Sequence, residues 1–304
     1  MKRLKWYHKV AITSFMALGL SACNSYVAKI GVIPSPSGLE TVIEDNYRLE
    51  TNELEEKIEI QKPSKEYTIG SFNIQVFGKS KASKENVINV ITDIITDYDI
   101  LAIQEVRDNS GTVIEYLESI PNFDISYSER LGRSSSKEQY VFFYSENIIS
   151  GETKQYPDVN DVFEREPFAQ KFTIQDYDFV LVQIHVKPTD AENEINALPD
   201  VVEWIFKEFN DKDIYITGDL NADCNYFSSF SALPDYEWLI DETIDTTTKG
   251  TDCAYDRFIA VTPSSYIVRV GVDNLQDEVG NDQELLEDVS DHYPIYMILD
   301  INQN

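Results

Sequence analysis

A group of polar side chains follows a short apolar run near the middle of the chain. The run Asp213–Gly218 is rich in β-branched and aromatic residues, which predicts a buried strand. Asp219 and Asn221 follow it two residues apart, so an extended backbone points both side chains to one side. A carboxylate and an amide at the carboxyl end of a strand commonly form a site on an α/β scaffold. A simple turn is the alternative, because Gly, Asp and Asn are ordinary turn residues.

Histidine is scarce, with three residues in the chain, one of them in the basic leader at the N-terminus. The other two are His185, at the end of a predicted strand, and His292, just before another. Histidine changes charge near neutral pH and is the default general acid or base. A buried structural histidine is the alternative for each, but both lie beside polar or acidic residues.

Several acids have the same placement in loops next to predicted strand ends; they are Glu105, Glu138, Asp219, Asp256 and Asp291. Clustered carboxylates repel one another unless His, Arg or a cation compensates. Their hard oxygens suit Mg²⁺, Mn²⁺ or Ca²⁺ rather than zinc. A cation, two histidines and arginine are what phosphodiester hydrolysis needs: one His activates water and the other protonates the leaving oxygen. For Glu105, an acid at a helix N-terminus is the alternative.

The hydrophobic periodicity predicts the elements that position these residues. We predict strands over Tyr67–Phe77, Asp99–Ile103, Phe123–Ser128, Gln139–Tyr144, Phe168–Ile174, Phe179–Ile184, Asp213–Gly218, Phe258–Val261 and Ile295–Leu299. We predict helices over Lys84–Tyr98, Val113–Glu118 and Ala191–Asn210. Strands outnumber helices, which favours an α/β fold of two packed sheets with flanking helices over a doubly wound single sheet.

The composition limits how the protein can bind a polyanion. The chain has 304 residues, 42% of them hydrophobic, which suits one large α/β or β-sandwich domain. It carries 25 Lys plus Arg against 54 Asp plus Glu and has no basic stripe, which excludes binding of nucleic acid by charge neutralisation alone. A polyanionic substrate would need divalent cations and a few well-placed arginines. Strong acidity also suits a soluble secreted protein.

The N-terminus predicts export. Met1–Lys9 is basic, Val10–Leu20 is a short apolar run, and Leu20–Cys23 resembles a bacterial lipobox. We therefore expect residues 1–22 to be a signal peptide, Cys23 to carry lipid, and the protein to be extracytoplasmic and membrane-anchored. An ordinary secretory signal is the alternative. Residues 23–66 predict a flexible acidic tether with one marginal helix near Tyr47–Ile58, and residues 67–304 a globular domain.

Besides Cys23, the chain has two cysteines, Cys224 and Cys253. In an oxidising compartment they allow one intramolecular pair, closing a loop of about 30 residues that is worth roughly 3 to 4 kcal/mol. A metal site is disfavoured, because neither cysteine has a Cys or His at ligand spacing.

Four segments resemble motifs of the deoxyribonuclease I family, a branch of the endonuclease/exonuclease/phosphatase superfamily. They are Gln104–Asp108, Gly218–Cys224, Cys253–Arg257 and Ser290–Pro294, and they occur in the family's order between about Tyr67 and Leu299. Three shorter matches point to the nuclease branch: Leu131–Arg133, Lys137–Glu138 and Arg165–Pro167.

The resemblance implies a four-layer α/β sandwich of two packed mixed β-sheets flanked by helices, and a role for each matched residue. Glu105 would bind a catalytic Mg²⁺ (or Mn²⁺), with Asp219, Asn221 and Asp291 close by. His185 would be oriented by Glu138, and His292 by Asp256. The residues implied to contact the phosphate backbone are Asn73, Arg107, Arg165 and Tyr255. Those implied for a structural Ca²⁺ are Asp245, Thr247 and Thr251, and the structural disulfide is Cys224–Cys253. A second calcium site would use Asp161, Phe163 and Glu166, although the small disulfide beside that loop is absent.

The implied function is a monomeric, metal-dependent endonuclease that cuts DNA to 5′-phosphorylated fragments. A sphingomyelinase-like phosphodiesterase is one alternative, but it favours an exposed aromatic hairpin, and none is obvious. A catalytically inactive surface binding protein is another, which the presence of both histidines and all the acids disfavours. The chain departs from the family at Gln75, where the family has Arg, and at Ser134 and Ser136, where it has Asn and Tyr. We therefore predict a weaker grip on duplex DNA.

Overall fold

A computed structural model describes residues 65–227 and 233–301. The predicted signal peptide, the lipidated Cys23, the helix near Tyr47–Ile58 and the tether up to residue 64 lie outside the described residues, so they stay predictions. Within the described ranges, no helix combines the length and apolar character needed to cross a membrane.

Strands dominate the described part of the chain, with helices between them. The strands are β1 Glu66–Phe77, β2 Ile100–Val106, β3 Phe123–Tyr127, β4 Gln139–Ser145, β5 Ile149–Gln155, β6 Phe168–Ile174, β7 Tyr177–Gln183, β8 Ile214–Asp219, β9 Glu237–Trp238, β10 Asp256–Ala260, β11 Ile267–Val272 and β12 Ile295–Asp300. The helices are α1 Lys79–Ala82, α2 Glu85–Ile95, α3 Thr112–Glu118, α4 Ala191–Asn196, α5 Leu198–Phe209 and α6 Gln283–Val289.

The strands form two six-stranded mixed sheets, as predicted. The first has the order β11-β12-β1-β2-β4-β3 and the second the order β5-β6-β7-β8-β10-β9. Each contains one parallel pair, β1 with β2 and β7 with β8, among antiparallel neighbours. Each sheet therefore has two central strands that end at the same edge.

Alternating residues of the central strands fill two different cores. In β2, Ile100 and Ala102 pack between the sheets, whereas Leu101 and Ile103 pack under the helices on the outer face. In β8, Tyr215 lies between the sheets and its neighbours lie under the outer helices. A strand covered on both faces reads as a continuous apolar run, which is why these strands were predictable.

Helices cover both outer faces and complete a four-layer α/β sandwich, which confirms the predicted architecture. The apolar faces of α2, α3 and α6 pack on the first sheet, and those of α4 and α5 pack on the second. In α2 the buried residues recur at helical spacing: Val87, Ile88, Val90, Ile91, Ile94 and Ile95.

Some elements differ from the prediction. The single helix expected over Ala191–Asn210 divides at Ala197, because Pro199 lies in the first turn of α5 and has no N–H to continue α4. Strand β5 was not predicted, because it is an edge strand with mostly exposed residues and no clear alternation. Strand β11 and helix α6 were also missed, although Asp282 caps α6 by accepting from two backbone N–H groups.

Candidate active site

The catalytic candidates gather where the central strands of both sheets meet at one edge. His185 follows β7, Asp219 ends β8, and Asp256 begins the antiparallel neighbour β10. In the other sheet, Glu138 directly precedes β4 and His292 precedes β12. The two edges meet, since Asn73 Nδ2 of β1 donates to Asp219 Oδ2 at 3.0 Å.

His185 is held by a buried carboxylate. Its Nδ1 lies 2.7 Å from Glu138 Oε1. Glu138 is 1% exposed and also pairs with Arg107 and Arg165, each at 3.3 Å. Arg165 Nε in turn donates to the backbone O of His185 at 2.8 Å. These contacts fix the ring and direct its Nε2 into the site.

His292 is held in the same way from the other sheet. Its Nδ1 lies 2.7 Å from Asp256 Oδ2, and Asp256 is fully buried at the start of β10. The backbone N of His292 donates to Ser290 Oγ at 3.1 Å, and Ser290 Oγ donates to Asn73 O at 2.6 Å. Ser290 therefore ties the His292 loop to β1.

The two imidazoles converge on one carboxylate oxygen. Asp219 Oδ2 lies 3.5 Å from His185 Nε2 and 3.6 Å from His292 Nε2. Both rings are buried among carboxylates and guanidinium groups, not in the apolar core. The structure thus brings together the two residues predicted as general acid and base, each with its predicted carboxylate partner.

The charges around the two histidines are unequal. Burial opposes the protonated form of His292, but Asp256 and Asp219 outweigh it and raise its pKa to about 10. Burial and Arg165 oppose the protonated form of His185, but Glu138 outweighs them and raises its pKa as well. For Glu138, His185 and the arginines outweigh burial and lower its pKa to about 2. The carboxylates therefore raise the pKa of both imidazoles, and a guanidinium opposes this at His185.

Glu105 is presented by a local backbone distortion. Its φ is 63°, and that of Val76 on the neighbouring strand is 52°, both in the left-handed region. The distortion coincides with register shifts of β2 against both β1 and β4. Glu105 Oε2 accepts from Val76 N at 2.7 Å, and Glu105 Oε1 lies 3.2 Å from Arg107 Nη2. Backbone strain of roughly 1 to 3 kcal/mol per residue is typical of functional sites.

The donor set fits a hard divalent cation. The buried Oδ1 of Asn73 has no hydrogen-bond partner within the described residues, and its Nδ2 contacts both Glu105 and Asp219. Asp291 Oδ1 lies 3.8 Å from His292 Nε2. Carboxylate and amide oxygens at such a place suit Mg²⁺ or Mn²⁺. Another group, Asp223 with Cys224 and Cys253, has its sulfurs in a disulfide and does not fit.

The last part of β8 requires its glycine. Gly218 has φ 140°, and a Cβ there would lie 1.9 Å from Ile184 O. Asn221 has φ 48°, its Nδ2 donates to Val186 O at 3.0 Å, and its N donates to Asp219 Oδ1 at 3.0 Å. Asn221 therefore ties the turn after β8 to the strand end that carries His185.

The predicted phosphate contacts border the same site. Arg107 and Arg165 flank Glu138, and Asn73 contacts Asp219, as described above. The ring of Tyr255 lies 6.3 Å from that of His292, centroid to centroid. Arg107 Nη1 donates to Ser136 Oγ at 3.4 Å, so the serine-rich loop also reaches the site.

The predicted calcium residues form one cluster next to the disulfide. Asp245 Oδ1 accepts from Thr247 N, Thr247 Oγ1 and Cys253 N, at 2.9, 2.8 and 3.2 Å. Thr251 O lies 2.6 Å from the same Thr247 Oγ1, whose one O–H is already given to Asp245. These oxygens fit a calcium ion. Cys224 and Cys253 form the predicted disulfide, with a Cα–Cα distance of 5.9 Å.

The residues suggested for a second calcium site have other partners within the protein. Arg133 Nη2 lies 3.0 Å from Asp161 Oδ1, and the same guanidinium donates to Asp161 O. Phe163 N donates to Asp158 Oδ2, and Glu166 O accepts from a glutamine side chain. A side-chain cation thus already neutralises Asp161, which does not favour an ion there.

Sequence reasoning missed several residues that touch the site. Gln75 Nε2 donates to Asp291 Oδ2 at 2.7 Å, although it was predicted only as a lost phosphate contact. Lys249 Nζ lies 3.4 Å from the same oxygen. Glu194 accepts from backbone groups beside His185 and Arg165. For Lys249, the sequence did offer one signal: it is a lysine inside the Thr-rich loop that contains the calcium candidates.

Known proteins share this sequence and fold. The model of the Endonuclease/Exonuclease/phosphatase family matches residues 70–292. Deoxyribonuclease-1 from Gallus gallus is 38% identical over 260 residues, covering 76% of this chain and 91% of that protein. Deoxyribonuclease-1 from Homo sapiens is 36% identical with the same two coverages.

Solved structures show the same fold at lower identity. Truncated Caenorhabditis elegans TDP2 superposes with a TM-score of 0.56 at 16% identity, covering 77% of this chain and 97% of that one. An endonuclease/exonuclease/phosphatase from Bacteroides vulgatus superposes with a TM-score of 0.57 at 15% identity, covering 77% and 98%. Taken with the family match and the deoxyribonuclease-1 relatives, this chain belongs to the Endonuclease/Exonuclease/phosphatase family as a deoxyribonuclease I-like member.

Proposed function

We propose that the protein is a metal-dependent endonuclease that hydrolyses phosphodiester bonds of DNA and leaves 5′-phosphorylated products. One observation carries this most: two His–carboxylate pairs from different sheets aim their Nε2 atoms at Asp219 Oδ2, at 3.5 and 3.6 Å. An acid and a base on opposite sides of one pocket suit an in-line displacement at phosphorus. The similarity to deoxyribonuclease-1 supports DNA as the substrate.

The charges suggest how the two histidines divide the chemistry. His185 Nε2 removes a proton from the attacking water, and Glu138 stabilises the imidazolium that forms. His292 Nε2 gives its proton to the departing O3′ as the P–O3′ bond breaks. The phosphate stays on the O5′ atom of the other fragment, which therefore has a 5′-phosphate end. This division is supported by the groups around each ring. His292 Nε2 lies 3.6 Å from Asp219 Oδ2 and 3.8 Å from Asp291 Oδ1, which favour its proton. Arg165 lies beside Glu138 and the backbone of His185 and opposes a proton there, although the pKa of both imidazoles is raised.

A bound Mg²⁺ or Mn²⁺ supplies positive charge for the non-bridging phosphate oxygens. Glu105 and Asp291 would hold it, with Asn73 Oδ1 as a further oxygen donor. Arg107 and Arg165 border the same pocket and offer N–H groups to the substrate backbone. Asp219 and Asn221, linked by a 3.0 Å hydrogen bond, position the turn between the histidines.

We also propose a structural Ca²⁺ at Asp245, Thr247 and Thr251, and a monomeric, extracytoplasmic protein anchored through Cys23. The disulfide Cys224–Cys253 supports an oxidising compartment, because such bonds persist there and are rare in reducing ones.

An in-gel assay on DNA with Mg²⁺ and Ca²⁺, with and without EDTA, tests the proposal. We expect cleavage that EDTA abolishes, and ligatable 5′-phosphate ends. Hydrolysis of sphingomyelin without DNA cleavage would support another phosphodiesterase of the family. No hydrolysis of DNA, RNA or sphingomyelin under any metal condition would support an inactive binding protein.

A further inference from the structure

Lys249 contacts one of the carboxylates at the site. Its Nζ lies 3.4 Å from Asp291 Oδ2, and its side chain is 47% exposed. It belongs to the loop that runs from Asp245 to the disulfide at Cys253. The residue before it, Thr248, donates its backbone N–H to Asp291 O at 3.0 Å. The backbone next to Lys249 is therefore fixed at the site, while its amine reaches solvent.

The two arginines of the site already have protein partners, so only their remaining N–H groups can meet the substrate. Arg107 is 25% exposed and pairs with both Glu105 and Glu138. Arg165 is 11% exposed, pairs with Glu138 and donates to the backbone O of His185. Removing either guanidinium from these partners would leave buried carboxylates without compensation, which is costly.

Two lysines near the site, Lys81 and Lys187, have protein partners. Lys81 is partly buried, and its Nζ donates to Val289 O at 2.7 Å. Lys187 is exposed, but its amine lies 3.3 Å from Glu164 Oε2, on the loop beside Arg165. Lys249, in contrast, is an exposed amine whose partner is a carboxylate of the site itself, Asp291.

Asp291 does not depend on Lys249 for its position. Gln75 Nε2 holds the same oxygen at 2.7 Å, whereas the lysine contact of 3.4 Å is long for a charge-assisted hydrogen bond, which is about 2.7–2.9 Å. An ion pair with this exposure contributes little to stability, because solvent screens it. The lysine can therefore leave Asp291 at little cost when another anion approaches.

A nucleic acid that approaches this site meets mostly negative charge. The chain has a formal net charge of −29. Glu105, Asp219 and Asp291 all lie where the scissile phosphate must bind. Affinity for a polyanion comes from cations that neutralise individual phosphates, so an available amine at the site edge has a large relative effect here.

We propose that Lys249 is a substrate-binding residue whose amine leaves Asp291 to contact a backbone phosphate adjacent to the scissile one. This proposal rests on the proposed nuclease function and deepens it. A purely structural role, in which Lys249 only positions Asp291, is the outcome to be distinguished.

The test compares Lys249→Ala with Lys207→Ala. Lys207 is a matched control: it is an exposed lysine paired with Glu203 at 2.7 Å, in the last turn of α5, which leads to the start of β8, opposite the site. For Lys249→Ala we expect kcat/KM on DNA to fall roughly fivefold at low salt, and the slope of log kcat/KM against log salt to shrink by about 0.7 to 0.9. Lys207→Ala should change neither, and Lys249→Arg should restore both.

A substrate with a single phosphodiester, bis(p-nitrophenyl) phosphate, separates the two roles because it has no neighbouring phosphate. Its hydrolysis should fall much less in Lys249→Ala than the cleavage of DNA does. Equal losses on both substrates, or a changed Mg²⁺ requirement with an unchanged salt slope, would overturn the proposal in favour of a role on Asp291. A salt slope identical in Lys249→Ala and Lys207→Ala would overturn it as well.

Failure of the nuclease function looks different. A wild-type protein that cleaves no DNA overturns both proposals at once. Wild-type DNA cleavage with no effect of Lys249→Ala overturns the lysine contact alone.

Discussion

The side-chain amide of Gln75 donates a hydrogen bond of 2.7 Å to the carboxylate of Asp291. A neutral donor holds Asp291 without cancelling its charge, so the carboxylate remains available to a divalent cation. Because Gln75 is neutral, the site also has one positive charge fewer on the side that faces the substrate. The deoxyribonuclease I family has an arginine at this position.

The double variant Gln75→Arg, Ser136→Tyr should therefore bind duplex DNA more tightly. The arginine adds a charge for the backbone and the tyrosine adds an aromatic surface, so we expect KM on duplex DNA to fall by about fivefold. Steady-state kinetics on one duplex at fixed salt measures this. An unchanged KM contradicts the idea that these positions weaken the grip on duplex DNA.

Removal of either imidazole should abolish most turnover on DNA. His185→Ala and His292→Ala should each lower kcat by about 100- to 10,000-fold, with circular dichroism spectra like the wild type. A p-nitrophenyl ester of thymidine 5′-phosphate has p-nitrophenolate in the place of the departing O3′, and this leaving group needs no proton. It should therefore restore much of the rate of His292→Ala and little of that of His185→Ala. The opposite pattern reverses the acid and base assignments, and near-normal rates in either variant on DNA refute them.

Glu138 should couple stability to pH at the acid end. His185 and the arginines outweigh burial and lower its pKa to about 2, below its ordinary value near 4.5. A lowered folded-state pKa stabilises the protein above about pH 4.5, and that stability is lost as pH falls toward 2, by about 3 kcal/mol in total. Urea unfolding between pH 2 and 7 should show a shallower pH dependence for Glu138→Gln. Glu118→Gln, a change of the same charge on an exposed face of α3, should keep the wild-type slope.

Glu194 should act in the opposite direction. It is fully buried, its Oε1 accepts from Glu164 N and Lys187 N at 3.2 and 3.3 Å, and burial raises its pKa to about 7. A raised pKa of an acid costs stability as pH rises from about 4.5 through 7. Glu194→Gln keeps an acceptor oxygen without the charge, so it should gain up to about 3 kcal/mol at pH 8 and almost nothing at pH 4.5.

Glu194→Ala separates the charge from the hydrogen bonds, because it removes both backbone contacts along with the carboxylate. It should be less stable than Glu194→Gln at every pH. Urea midpoints at the two pH values decide this. A glutamine variant that is destabilised at pH 8 contradicts the assignment.

The predictability of the elements follows from how each is buried. Strands β2 and β8 are covered on both faces, so their sequences are largely continuous apolar runs, and these runs predict where the strands lie. Edge strand β5 is mostly exposed and has no such run. The break between α4 and α5 depended on one proline inside a pattern that otherwise continues as a helix.

The site could be predicted in its residue types but not in its contacts from spacing alone. Asn73 and Asp219 are 146 residues apart, and Gln75 and Asp291 are 216 apart. Only the packing of the two sheets determines such pairs. The His–carboxylate pairs were expected from the family resemblance. The contacts of Gln75 and Lys249 with Asp291 were not expected. Gln75 is a position where this chain departs from the family, and Lys249 had been given no role.

The disulfide and the adjacent oxygen cluster should govern stability more than chemistry. Cys224 and Cys253 are 29 residues apart, so replacing both by Ser should cost roughly 3 to 4 kcal/mol by the chain-entropy model. Because Asp245 Oδ1 accepts from Cys253 N, calcium removal should loosen the same loop. Trypsin digestion should therefore accelerate after reduction and after chelation. Because both treatments act on one loop, their combined effect on the digestion rate should be smaller than the sum of the two separate effects. Resistance unchanged by both treatments contradicts the structural roles, and a kcat on DNA that falls while protease resistance is kept points to a direct role in catalysis instead.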